Sequence, residues 1–344
     1  DLRETRVQIR GNYRDLGELV QAGFPEAFHS GPSAPSRLDL ARWLCAPENP
    51  LTPRVQANRI WARMFGRGLV ETEEDFGRQG TVPTHPELLD ALAARWLSDE
   101  GRLRPFLKRL LMTDVWRRTS SATPVALAAD PRNERLARFP RVRLEPEVLR
   151  DQALAVSELL VRTKHGPPVF PPQPDGVWRS PYNDARWTNS TGDDRFRRSV
   201  YTYWKRTAPH PTMTLFDAPS REVCTSRRLA TNTPLQALVG LNDPIFQEAA
   251  LGFGRRIQGL SGDERDQLVQ AFRLLTGREP SLPEVQRLQE TLHQARRHYA
   301  DRPEEAAAFL AAFAEARRVK VGRDMSAEEE SAWALVASVL LNLD

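Results

Sequence analysis

A chain of 344 residues with a 40% hydrophobic share can bury a large core, and that length accommodates about one to three domains. Its 49 basic and 45 acidic residues leave a formal charge of only +4; arginine intermixed with glutamate reads as solvated helix faces, so no nucleic-acid partner is expected. Two cysteines, Cys45 and Cys224, exclude a disulfide scaffold or a four-cysteine metal site, and no apolar run is long enough to span a membrane.

In chain order, TRVQIR from Thr5 to Arg10 alternates and predicts a short strand, whereas Gly11 to Pro35 is mostly loop. Helical spacing begins near Ser36 and runs to Cys45, with Leu38, Leu40, Trp43 and Leu44 as the inward set. In the next segment Thr52 is the expected cap and Pro53 the first helical residue. Val55, Ile60, Trp61, Met64 and Phe65 line the buried face, and Gly66 stops the helix. Glu71 to Gly77 is an acidic turn. Thr84-His85-Pro86-Glu87 has capping-box spacing, which accounts for His85 without a ligand role. Leu88–Leu97, Arg104–Met112 and the segment starting at Arg143 read as further amphipathic helices, the last with Leu149, Ala153, Val156 and Leu160 facing in.

The helical period vanishes from Thr163 to Asp194, where six prolines accompany Phe170, Trp178, Tyr182 and Trp187. A connection this long is functional or disordered in most domains, and its aromatics argue for order. Trp178, Tyr182 and Trp187 are candidates to stack on sugar rings, or equally to pack back on the core. Asn183, Asp184, Asp193 and Asp194 match no calcium-loop spacing, so no metal site is expected. Ser199 to Trp204 is the densest β-branched and aromatic run and predicts a strand over 199–206. A proline-rich connector follows, then Thr233-Pro234-Leu235-Gln236 opens a helix with a capping box. Asp243-Pro244 begins the next, keeping Ile245, Phe246, Ala249, Ala250 and Phe253 on one side. Ser261, Ser281 and Ser326, each followed three residues later by glutamate, head further helices of a C-terminal bundle.

One constellation of charge stands out. Arg143, Glu147, Arg150 and Asp151 lie along one predicted helix, and Arg198, Lys205, Arg206, Asp217, Cys224, Arg227, Arg228 and Asn242 follow in and around the connector. These groups are expected to converge, and two readings of that convergence stay open. One is a polar pocket walled by the Trp178–Trp187 loop, beside a helix start whose free N–H groups favour an anion or carboxylate. The other is a set of buried ion pairs, with Glu147, Asp151 and Asp217 holding the arginines. Cys224 has arginines near it that would lower its pKa, but no partner histidine is identifiable.

Two blocks carry a family resemblance: NPLTPRVQANRIWARMFGRGLVETEEDFGRQGTVPTHPELLDALA and RRSVYTYWKRTAPHPTMTLFDAPSREVCTSRRLATNTPLQALVGLNDPIFQEAA. They resemble the signature blocks of a planctomycete-type family of unknown function, and RLEPEVLRDQALAVS between them is also similar to it. That family is the C-terminal domain of large exported proteins that often begin with a planctomycete-type cytochrome c domain. The resemblance implies a mostly helical domain, a periplasmic or cell-surface parent and a c-type haem elsewhere in that parent; it supplies no catalytic residues. No cofactor is expected in this chain, which lacks a C-x-x-C-H motif, starts without Met and reads as a piece of a longer protein.

The expected fold is mainly α, a multi-helical domain with a few short strands and a long Pro/Trp-rich loop. It forms one family domain over 1–344, with a helical lobe at 36–162, a central region at 163–243 and a C-terminal lobe at 244–344. The expected function is recognition or scaffolding linked to polysaccharide, with the parent's other domains as partners. The alternative is a hydrolase or haem-coupled oxidoreductase with an Arg/Asp/Cys centre in 198–243.

Overall fold

The computed structural model describes residues 4–25, 36–174, 176, 186–321 and 324–343. It is mainly helical, at 52% helix, and its one sheet among the described residues has two strands. The chain divides into two compact units, Asp1–Val142 and Arg143–Asp344.

The first unit begins with an antiparallel hairpin of β1 (Thr5–Gln8) and β2 (Leu16–Val20). The second strand falls in the stretch expected to be mostly loop. It forms because 3-10 residues Ile9–Gly11, with Arg10 and Gly11 at positive φ, reverse the chain. Helix α1 (Arg37–Cys45) has the capping box Ser36–Asp39, yet it buries no residue. Leu38, Leu40 and Leu44, expected to point inward, are exposed, while Trp43 stacks on Phe24 at 5.3 Å. Periodicity identified this helix but not what covers its apolar edge.

The core of this unit joins α2 (Thr52–Phe65), α3 (Pro86–Ser98) and α4 (Leu103–Leu111) through Ala57, Trp61, Phe65, Leu89, Phe106 and Leu110. Capping differs from expectation at two starts. Asn49, not Thr52, accepts from the first N–H groups of α2. Thr84 hydrogen-bonds Leu69 O and leaves the start of α3 without a side-chain cap. Buried Asn58 donates to Val70 O and accepts from Val70 N, both at 2.9 Å, which fixes the loop after Gly66. A short α5 (Pro124–Ala129), capped by Thr123, follows.

The second unit starts with α6 (Pro146–Val156), followed by two short pieces, α7 (Gly192–Arg195) and α8 (Pro211–Leu215). The expected strand over 199–206 does not form. Ser199–Tyr201 is a 3-10 turn, and Thr202 makes a single parallel bridge with Val169. Val169 donates to Tyr201 O and accepts from Tyr203 N, but its neighbours include Pro167, Pro168, Pro171 and Pro172, which have no N–H to extend a ladder.

Helix α9 (Pro234–Asn242) carries the predicted Thr233–Gln236 capping box, and Asp243 caps α10 (Pro244–Gln258). Together with α10, helices α11 (Glu264–Thr276), α12 (Leu282–Asp301) and α13 (Pro303–Ala312) pack around α14 (Ala327–Leu341). Ser281 and Ser326 cap as expected, whereas Asp263 takes the role expected of Ser261. Phe253, Ile257, Leu268, Phe272, Leu292, Trp333 and Val336 form the main core. A buried carboxylate beside it is paired: Glu330, 3% exposed, receives Arg255 at 2.6 Å and Arg317 at 3.0 Å. Arg296 bridges Glu264 and Glu329.

Helices α10 and α14 meet at Gly254, where a Cβ would lie 2.8 Å from Ala334 N and 2.9 Å from the Trp333 carbonyl carbon. These are backbone atoms and cannot step aside. Gly254→Ala is therefore expected to destabilise the protein by about 1–3 kcal/mol through overpacking, despite alanine's better helix propensity. Thermal unfolding reads this directly, and an unchanged or raised midpoint would refute the close approach.

Candidate functional site

The polar groups of the second unit are organised by α6. Pro146 starts the helix, and Ala153, Leu154 and Val156 bury one face. Leu154 packs with Leu159, Phe196 and Leu251, and Ala153 with Phe216, Phe246 and Ala249. With the helix seated in this way, Glu147 and Asp151 lie on its rim and Arg150 points into the interior.

On the rim, Glu147 receives both terminal nitrogens of Arg228, at 2.6 and 3.2 Å. Burial opposes the charge of Glu147, but the bidentate Arg228, a backbone hydrogen bond and the nearby charge of Arg221 together hold the carboxyl below its ordinary value. Asp151 accepts from Arg198 Nε at 3.1 Å and from Ser199 N at 2.7 Å. Asp217, at positive φ, accepts from Arg143 at 2.5 Å and from Thr231 N and Oγ1 at 2.8 and 3.0 Å. Partial burial disfavours its ionised form, yet these hydrogen bonds win and hold its carboxyl below the ordinary value. Arg143 also donates to Phe216 O and Thr231 O, and so ties the connector to the start of α6.

Inside, Arg150 is 2% exposed. It donates to Arg197 O at 2.8 Å, Arg195 O at 2.9 Å and Ser199 Oγ at 3.2 Å, while its Nε lacks a partner. Burial lowers its pKa to about 10, so it stays charged at neutral pH. Buried Glu248 receives Arg195 at 2.7 Å, and buried Asp243 receives Thr212 Oγ1 at 2.6 Å. Burial raises the pKa of both carboxyls. His210 is fully buried, with Nε2 3.3 Å from Pro172 O. A carbonyl only accepts, so Nε2 carries the proton; Nδ1 has no partner. Burial, with nearby Arg150 adding to it, pushes this imidazole down to about 4, and it is neutral at physiological pH.

Seven of the twelve sequence-derived pocket residues are thus brought together: Arg143, Glu147, Arg150, Asp151, Arg198, Asp217 and Arg228. They meet largely as ion pairs and backbone ties. Arg206 and Cys224 are exposed, Lys205 and Arg227 are half-buried, and exposed Asn242 donates to Leu238 O of its own helix. Cys45 and Cys224 are both exposed and free. Among the stacking candidates, Trp178 and Tyr182 lie outside the described residues. Trp187 donates to Pro171 O at 2.9 Å and packs 5.0 Å from Phe170 and 5.4 Å from His210, with Phe170 stacked on Tyr203 at 4.9 Å. Among the described residues no three of His, Cys, Asp and Glu form a metal-ligand set.

Sequence reasoning missed the inner tier of Arg195, His210, Asp243 and Glu248. His210-Pro211 and Asp243-Pro244 both start helices, a local signal that marks position but not burial. It also missed Arg197, whose guanidinium lies 4.1 Å from the Tyr201 ring and donates to Pro167 O and His165 O.

Residues 36–292 match the family PSD1, described as proteins of unknown function (DUF1553). The chain belongs to this family. Both signature blocks and the whole α6 network fall within the matched residues, so the suspected family is the one found. No curated protein and no solved structure matches the chain.

Two predictions follow from the geometry. Asp217→Asn keeps a residue that tolerates positive φ but removes the charge facing Arg143. It is expected to lower stability by about 1–3 kcal/mol, less than for a fully buried pair because both side chains are partly exposed. Chemical denaturation measures this, and an unchanged midpoint would dismiss the pair as a brace.

The second concerns pH. The folded pKa of His210, about 4, lies below the ordinary 6.5, so only the unfolded chain takes up this proton between those values. The stability linked to His210 is complete above pH 6.5 and falls as pH drops toward 4, by about 3 kcal/mol in all. Asp243 and Glu248, with raised pKa values, have the opposite sign, so the wild type must be compared with His210→Gln. The variant is expected to lose less stability over that window in denaturant titrations, and parallel pH profiles would contradict the assignment.

Proposed function

We propose that this chain is a recognition or scaffolding domain of a larger exported protein that deals with polysaccharide at the cell surface. The observation that carries the reading is the ring cluster of Phe170, Trp187 and Tyr203, each only half-buried, at the end of the long proline-rich stretch. Partly exposed rings held in fixed orientation by core contacts suit stacking on the apolar faces of sugar rings. The hydrogen bond from Trp187 to Pro171 O sets its ring orientation before any ligand arrives. A supporting observation is the pairing on α6. Glu147, Asp151 and Asp217 are each engaged by an arginine and are held for positioning rather than proton transfer. The family resemblance adds a cytochrome c domain as a candidate neighbour in the parent, which would carry the haem.

The test is a panel of soluble and insoluble polysaccharides incubated with the purified chain, assayed for both co-sedimentation and released reducing ends. Binding without release is expected, and Trp187→Ala should weaken binding by about tenfold, as loss of one aromatic anchor does. Circular dichroism controls for folding, and Trp187→Phe should recover part of the binding. Product release by the purified chain would replace this reading with an enzymatic one. Binding undiminished in a folded Trp187→Ala variant would remove the ring cluster from it.

A further inference from the structure

We propose that the outer face of α4, in the first unit, docks an acidic amphipathic helix of a partner protein. Phe106 and Leu110 hold the inner face of α4 in the core, at 1% and 3% exposure. On the other side Leu103, Leu107 and Leu111 follow one another at four-residue spacing, a row about 12 Å long. Leu103 and Leu111 are 49% and 40% exposed, and Met112 beyond them is 67% exposed. Arg104 and Lys108 run beside this row at the same spacing, and together with the leucines they line a shallow depression.

The charges decide what fits there. Arg109, on the same helix, is neutralised by Asp99 at 2.5 Å, but Arg104 and Lys108 enter no ion pair among the described residues. The unit around them is itself positive: Asp1–Val142 holds 22 basic and 18 acidic residues, against 27 and 27 in Arg143–Asp344, so the formal +4 of the chain originates here. A leucine row beside a row of free cations is complementary to a helix with an apolar edge flanked by carboxylates. A second copy of the same face would set like charges against each other. A bilayer surface is disfavoured because the outer row has no aromatic anchor; Trp96 and Phe106 pack on one another at 5.4 Å, facing inward. The surface shares no residue with the α6 site and does not depend on the polysaccharide reading.

The test uses the purified chain and two labelled synthetic peptides of about four helical turns, both with leucine at every fourth position. One carries glutamates beside the leucines and the other lysines, and fluorescence anisotropy follows binding. The acidic peptide should bind at least about tenfold more tightly than the basic one, and added salt should weaken it. Leu107→Glu should abolish binding. The double variant Arg104→Glu and Lys108→Glu should invert the preference between peptides. All substituted positions lie on the solvent side, and circular dichroism confirms that helicity is retained. Equal binding of both peptides, no binding of the acidic one, or an unchanged preference in the double variant overturns the proposal. So does co-sedimentation with phosphatidylglycerol–phosphatidylcholine vesicles in the absence of peptide binding, which would make lipid the occupant. A dimer in size-exclusion chromatography that Leu107→Glu dissociates would equally overturn it, in favour of a second copy.

Discussion

The guanidinium of Arg150 is the point from which the second unit is arranged. A buried cation is tolerated only where hydrogen bonds replace its lost water, and Arg150 finds them on Arg195 O, Arg197 O and Ser199 Oγ. These are backbone and hydroxyl oxygens of a segment that has no sheet and little helix to hold it. Taking its carbonyls as partners therefore fixes the path of residues 195–199 against α6. Asp151 on the next position of the helix receives Ser199 N and closes the same tie from the opposite polarity. One short helix thus supplies both the donor and the acceptor that an irregular segment needs to satisfy its backbone.

The outer pairs extend that logic to the connector. Arg228 on Glu147 and Arg143 on Asp217 hold residues 216–231, and Thr231 adds its own N–H and hydroxyl to Asp217. The connector is then delivered to the Thr233 capping box, from which α9 and α10 run into the helical core. The arginine content that composition displays has two uses in this unit. Some side chains lie solvated on helix faces, and others substitute for secondary structure where proline forbids it.

In this member of a family of unknown function, the same arrangement engages most of the charged groups around α6 with one another or with the backbone. Carboxylates clamped by arginine are poor proton carriers, and the neutral His210 is sealed beneath Trp187 and Pro172. The surfaces we propose for partners are the half-buried rings on the proline-rich stretch and, in the other unit, the leucine and cation rows of α4.

Much of this was legible in the amino-acid sequence. Helix starts marked by Thr233, Ser281, Ser326 and Asp243 are decided within four residues, and the apolar face of α10 from Ile245 to Phe253 follows from a period of 3.6. Arg143, Glu147, Asp151, Asp217 and Arg228 were also visible as a charged set expected to converge, with a pocket and ion pairs both left open; the structure pairs these side chains. Three things needed tertiary structure. The run from Ser199 to Trp204 has the composition of a strand, but strands need a neighbour with N–H groups, and the segment beside it is rich in proline. The leucines of α1 have helical spacing, but burial depends on what lies opposite, and nothing in the described structure covers them. The burial of His210, Asp243 and Glu248 was invisible because burial is a property of several distant segments at once. Local order is written in short-range preferences, whereas pairing and burial are decided only when remote parts of the chain meet.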